Sequence, residues 1–195
     1  SFSRRQRQMC IRDSNMMDED KYVSLIHHHI TNGTKGVVPA GTTGESPTLS
    51  NDEHKRVIEI AVKECKGKIT VKAGTGSNST DEAVNLSRYA EKAGADAILV
   101  VTPYYNKPTQ EGLYQHYKLI NDNVGIPIII YNIPPRSVID MSVDTMARLF
   151  ELKNIVGVKD ATADLDRVNH TVDNMVKVFI QLTVNDDIAF EFFNR

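Results

Sequence analysis

Asn154-Ile155-Val156-Gly157-Val158-Lys159-Asp160-Ala161-Thr162 is the stretch that decides how this chain folds. Ile155, Val156 and Val158 are β-branched, and an apolar run closed by polar residues suits a buried strand of a parallel sheet. A lysine stands inside that run. Burial disfavours its charged form. A lysine kept partly neutral becomes a nucleophile able to form a Schiff base with a carbonyl. Taken alone, Lys159 reads as a strand-end lysine that snorkels to solvent or pairs with Asp160. Its company in the chain changes that reading.

Outward from this strand the pattern repeats. Apolar runs at 36–40, 69–74, 97–101, 126–130 and 178–182 read as five further strands. Helical stripes separate them. Val23, Ile26 and Ile30 mark a helix that Gly33 can close. Ser50 with Glu53, and Ser79 with Glu82, read as capping boxes opening two helices. Val57, Ile58, Ala61, Val62 and Cys65 stripe the first, and Ala83, Leu86, Ala90 and Ala93 the second, which Gly94 ends. Leu113, Tyr117 and Ile120 mark another helix, and Val143, Met146, Ala147 and Phe150 one more. A polar helix is expected from about Ala163. Strands alternating with helices mean a parallel sheet with helical crossovers. The regular pitch, without a phosphate-binding glycine fingerprint, favours an eight-fold α/β barrel over a doubly wound sheet.

The chain has 195 residues, 41% hydrophobic and 25% charged, with a net charge of −2. This suits one globular domain. No charge excess supports nucleic-acid binding or an anionic membrane surface, and no apolar run is long enough to span a bilayer. Cys10 and Cys65 form no metal or disulfide pattern, so a reducing, cytoplasmic setting is expected. His27, His28 and His29 point in three directions on a helix and cannot jointly hold a metal. Residues 1–14, with four arginines and no period, read as a disordered or foreign tail, and 15–195 as the barrel domain.

Thr42 and Thr43, Tyr104 and Tyr105, Tyr131 and Arg136, and Lys159 fall at or just past strand C-termini. In a barrel those ends share the face that carries the active site. Together they offer a nucleophile, phenols for proton transfer, hydroxyl donors, and a guanidinium able to grip a carboxylate bidentately. That set would serve an aldolase acting on an acidic keto compound.

Four motifs carry a resemblance: Gly41-Thr42-Thr43-Gly44-Glu45, Thr102-Pro103-Tyr104-Tyr105-Asn106-Lys107-Pro108, Tyr131-Asn132-Ile133-Pro134-Pro135-Arg136 and Gly157-Val158-Lys159-Asp160-Ala161-Thr162. From about Asp18 to Leu182 the chain resembles the 4-hydroxy-tetrahydrodipicolinate synthases of the pyruvate-dependent Schiff-base aldolase superfamily, which includes N-acetylneuraminate lyase. The resemblance implies a TIM (β/α)8 barrel and a lyase that needs no cofactor, because pyruvate is held as an imine on Lys159. Tyr131 would relay protons, with Thr43 and Tyr105 as its hydrogen-bonded partners. Thr42 and Thr43 would hold the pyruvate carboxylate, and Arg136 that of L-aspartate 4-semialdehyde, on the diaminopimelate route to lysine. Tyr105 would reach a neighbouring subunit, implying a homodimer paired into a homotetramer. His54, Asn78, Glu82 and Tyr104 match a lysine feedback pocket.

About six of the eight barrel strands are expected in this chain, leaving the first and last as edges and the isolated chain loosely folded and of little activity. Val184 stands where the family has a glycine, Pro135 where a small residue is commoner, and 183–195 read unlike the family. Alternatives are another pyruvate-dependent aldolase or lyase of the superfamily, whose members generally lack an arginine at Arg136, or a non-catalytic fragment.

Overall fold

The computed structural model describes residues 17–162, 164, 167 and 180–183. The 1–14 tail, the polar helix from Ala163 and Val184 lie outside the described residues, apart from Asp164 and Arg167. Helix α1 spans Glu19–Thr31, capped by the Asp18 side chain, which accepts from the Lys21 amide. Strand β1 is Gly36–Val37. Two short 3₁₀ turns, Thr42–Gly44 and Ser46–Thr48, lead to α2, Asn51–Cys65. Then follow β2, Thr70–Gly74, α3, Thr80–Ala93, β3, Ala97–Val101, and α4, Gln110–Asn123. The order closes with β4, Ile128–Asn132, α5, Pro134–Ser137, α6, Val143–Phe150, β5, Ile155–Asp160, and β6, Ile180–Thr183.

All six strands are parallel and stand side by side in chain order, β1 to β6. This unbroken sequence of neighbours is an arc of a (β/α)8 barrel, and it excludes the doubly wound order. The main core lies between sheet and helices, where Ile98, Val100, Ile128, Ile130, Ile155 and Val158 meet Ile58, Leu113, Tyr117, Ile120, Met146 and Leu149. On the other face, inside the barrel arc, Leu99, Ile129, Tyr131 and Ile133 form a second cluster.

Three expectations shift for local physical reasons. The first strand stops at Val37 because Pro39 has no N–H to extend the ladder. For the same reason β4 begins after Pro127, two residues later than the apolar run suggests, and it continues through Tyr131 and Asn132. Ser50 and Glu53 form a full capping box, but the one at Ser79 is half made. There the Ser79 hydroxyl accepts from the Glu82 amide, while the Glu82 carboxylate accepts from Ser77 instead.

Candidate active site

The pairing of β4 with β5 is irregular, and the irregularity sets the site. Ile128 registers with Ile155, but Ile129 registers with Gly157, so Val156 is an extra residue on β5. A bulge reverses the inside–outside alternation beyond it. Ile155 and Val158 therefore both face the helices, and Lys159 comes to the barrel interior beside its register partner Tyr131. The Lys159 Nζ sits 4.3 Å from the centre of the Tyr131 ring. Burial pushes the Lys159 ammonium below the ordinary lysine range. Burial raises the Tyr131 phenol, partly offset by the Arg136 charge and the Thr42 hydroxyl.

Around Tyr131 opens a cleft of about 240 Å³. Thr42, Tyr104, Arg136 and Ser137 stand in its wall, with Leu99, Val101 and Ile133 as its apolar floor. The 39–42 segment reaches the cleft by passing hard against β2. The Gly74 amide donates to the Pro39 carbonyl at 2.9 Å, and a Cβ on Gly74 would lie 2.2 Å from the Ala40 carbonyl oxygen. Only glycine permits that approach. Arg136 rides on α5, a single turn that Pro134 and Pro135 open and Val138, at φ 64°, closes. A larger hollow of about 400 Å³ lies between α1 and the 34–49 segment, away from Lys159 and Tyr131.

Tyr131, Thr42 and Arg136 are thus brought together around the cleft, and Lys159 joins them through its contact with the Tyr131 ring rather than in the cleft wall. Thr43 does not join them: it is exposed and absent from the cleft wall, and the threonine beside the Tyr131 hydroxyl is Thr42. The 3₁₀ turn at Thr42–Gly44 points successive side chains in different directions, so only one of the two can face inward. Tyr105 also stands outside the cleft, 88% exposed and held at φ 74°. Tyr104 lines the cleft instead. His54 is buried and its Nε2 donates to the Gly74 carbonyl at 2.7 Å, with Glu82 close enough to raise its pKa against the dominant lowering by burial. Asn78 offers its carbonyl to the Asn106 side chain at 3.2 Å. Ser137, missed in the sequence, lines the cleft and bonds the Ile133 and Ile139 carbonyls, each at 3.0 Å. Its position after a two-proline turn was the available signal. Among the described residues no group of three His, Cys, Asp or Glu side chains is placed to hold a metal, and no helix is long and apolar enough to cross a membrane.

Comparison with known proteins bears on this geometry. The 4-hydroxy-tetrahydrodipicolinate synthase of Pelagibacter ubique is 73% identical over 182 residues, 93% of this chain and 62% of that protein. The enzyme of the same name from Rhodopseudomonas palustris is 64% identical over 176 residues, 90% of this chain and 60% of that one. The crystal structure of dihydrodipicolinate synthase from Aquifex aeolicus superimposes with a TM-score of 0.91 at 46% identity, covering 94% of this chain and 63% of that chain. The chain therefore spans about three fifths of the length of these relatives. Residues 10–194 match the model of the Dihydrodipicolinate synthetase family, a stretch that reaches past both ends of the 18–182 resemblance. With six barrel strands in order and a match over nearly its whole length, the chain belongs to the dihydrodipicolinate synthetase family.

Proposed function

We propose that this chain carries the pyruvate-binding half-site of a 4-hydroxy-tetrahydrodipicolinate synthase, a cytoplasmic lyase of lysine biosynthesis that condenses pyruvate with L-aspartate 4-semialdehyde. The observation that carries the reading is the Lys159–Tyr131 pair, 4.3 Å from ammonium to ring across adjacent strands. A neutral Lys159 attacks the C2 carbonyl of pyruvate, and loss of water from the adduct leaves an imine. Burial favours the neutral amine by lowering its pKa. Tyr131 keeps its proton because burial raises the phenol, so it can donate to the departing hydroxyl and take a proton back as the enamine forms. The enamine carbon then attacks the aldehyde of the second substrate.

Arg136 in the cleft wall supports the semialdehyde over a neutral sugar aldehyde as second substrate, because a guanidinium holds a carboxylate by charge-assisted hydrogen bonds. Thr42 is the hydroxyl we assign to Tyr131 and to the pyruvate carboxylate. Tyr105, exposed on a left-handed turn, is assigned to a neighbouring subunit's site in a dimer paired into a tetramer. His54, Glu82, Asn78 and Tyr104 are assigned to lysine feedback. No cofactor is required, since the imine itself is the electron sink.

The test is borohydride reduction in the presence of pyruvate, followed by peptide mass spectrometry. The expected product is a single adduct on Lys159, absent from Lys159→Ala. An adduct on another lysine, or none, would overturn the reading in favour of a non-catalytic member.

A further inference from the structure

Tyr131 and Lys159 are each followed by a polar residue that ends its strand, Asn132 on β4 and Asp160 on β5. Side chains alternate along a strand, so these two lie on the side away from the cleft. Behind it they meet Asp140 and Arg167. Asn132 Nδ2 donates to Asp140 Oδ1 at 2.8 Å and reaches Asp160 Oδ1 at 3.5 Å, while its Oδ1 accepts from the Met141 amide at 3.1 Å. Arg167 spans both carboxylates: Nη1 is 2.8 Å from Asp140 Oδ2 and Nε 3.0 Å from Asp160 Oδ2. Its Nη2 donates to the Met141 carbonyl. Asn132 is fully buried, and the Arg167 and Asp160 side chains are 12% and 16% exposed. A charge pair this sheltered is screened little by water, so loss of one partner leaves the other exposed to its neighbours.

None of the four lines the cleft. Yet they join the last residue of β4 to the last residue of β5, and they set a guanidinium against the carboxylate that follows the nucleophile. We propose that Arg167, with Asp160, Asp140 and Asn132, is the positioning element of the Lys159–Tyr131 pair. It locks the two strand ends in register from behind and neutralises the Asp160 carboxylate. The inference rests on the assignment of Lys159 as nucleophile. Lys159 packs against the Tyr131 ring from β4, with Arg136 of α5 acting on the Tyr131 hydroxyl, Leu182 of β6 in register beside it, and Asp160 next to it in the chain. Asp160 is the one acid in that set. In the intact cluster burial is the cause that lowers Lys159, as expected if Arg167 offsets the neighbouring Asp160 charge.

The experiment measures Lys159 without pyruvate. Reductive methylation with limiting formaldehyde and cyanoborohydride, read peptide by peptide across pH, gives the titration midpoint of each lysine. Arg167→Met strands the carboxylate and should move the Lys159 midpoint up by about half a unit to one unit, slowing its reaction at neutral pH about three- to tenfold. Asp160→Asn removes, of the two carboxylates that balance Arg167, the one next to Lys159 in the chain and should move the midpoint down. A role limited to stability would not give shifts of opposite sign. Midpoints that stay put, or move together, in proteins with cooperative thermal transitions would overturn the proposal. If Arg167→Met does not fold, the downward shift in Asp160→Asn carries the test alone, and no shift there refutes it. Failure of pyruvate trapping on the unmodified protein would sink the lyase reading and leave these midpoints to judge the positioning role.

Discussion

Gly157→Ala should damage both stability and Lys159 chemistry, for one geometric reason. Gly157 registers with Ile180 on β6. A Cβ at Gly157 would lie 2.4 Å from the Ile180 carbonyl oxygen and 2.8 Å from its Cβ. Real Cβ contacts essentially never fall below 3.0 Å, so β6 must retreat by at least about 0.6 Å. The obstacle is backbone, not the free end of a side chain, and cannot swing aside. Overpacking of this kind costs about 1–3 kcal/mol. Lys159 registers with Leu182 on the same pair of strands, two positions on, so the retreat carries to the proposed nucleophile. A misplacement near 1 Å can cost about 10²-fold in rate. Urea unfolding should show a lower midpoint with an unchanged slope, since the surface exposed is the same. Pyruvate trapping on Lys159 should slow in parallel. An alanine variant with the unmodified midpoint and the unmodified trapping rate would show that β6 approaches less closely, and the bulge argument would fail with it.

Tyr131→Phe should still form the imine but lose about 10²- to 10⁴-fold in turnover, read as adduct formation against product formation. Arg136→Ala should weaken use of the semialdehyde by about 1.5–3 kcal/mol, more than tenfold, with pyruvate trapping nearly intact; the reverse split would mean the two carboxylates were assigned to the wrong groups. His116, on α4, has Nδ1 2.9 Å from the Thr80 hydroxyl, and burial lowers it to about 4. Its folded value lies below the unfolded 6.5, so the stability it contributes is complete above about pH 6.5 and is lost as pH falls toward about 4. That gap corresponds to about 3 kcal/mol, and His116→Gln should flatten the unfolding free energy across the window.

Six strands were legible because each is an apolar run, and from β1 to β5 amphipathic helices separate them; burial on both faces leaves that pattern in composition alone. Strand ends were less so. Ile126 and Pro127 look like strand residues by hydrophobicity, but a proline cannot donate to the ladder, so β4 starts at Ile128 and takes in Tyr131. That small slide takes Tyr131 out of the loop and into the ladder, in register with Lys159. The choice between Thr42 and Thr43 was not legible at all. Neighbouring threonines are chemically identical, and the turn that presents one of them is decided by the backbone pressed against Gly74.

The lysine shows the same division most clearly. Its type and its place at a strand end pointed to a nucleophile, but strict alternation from the buried Ile155 would have turned it outward, with Ile155 and Gly157, into the helix layer. One inserted residue, Val156, reverses that parity. Nothing in the apolar run announces the insertion except Gly157, whose missing side chain lets β6 close over the bulge. The chemistry of the site is thus written in side chains, while its orientation depends on three backbone irregularities: the β5 bulge, the 3₁₀ turn at Thr42, and the two-proline turn at Arg136. Substitutions that regularise any of the three should cost activity before they cost stability, because each leaves the core intact and moves one functional group out of reach of the others.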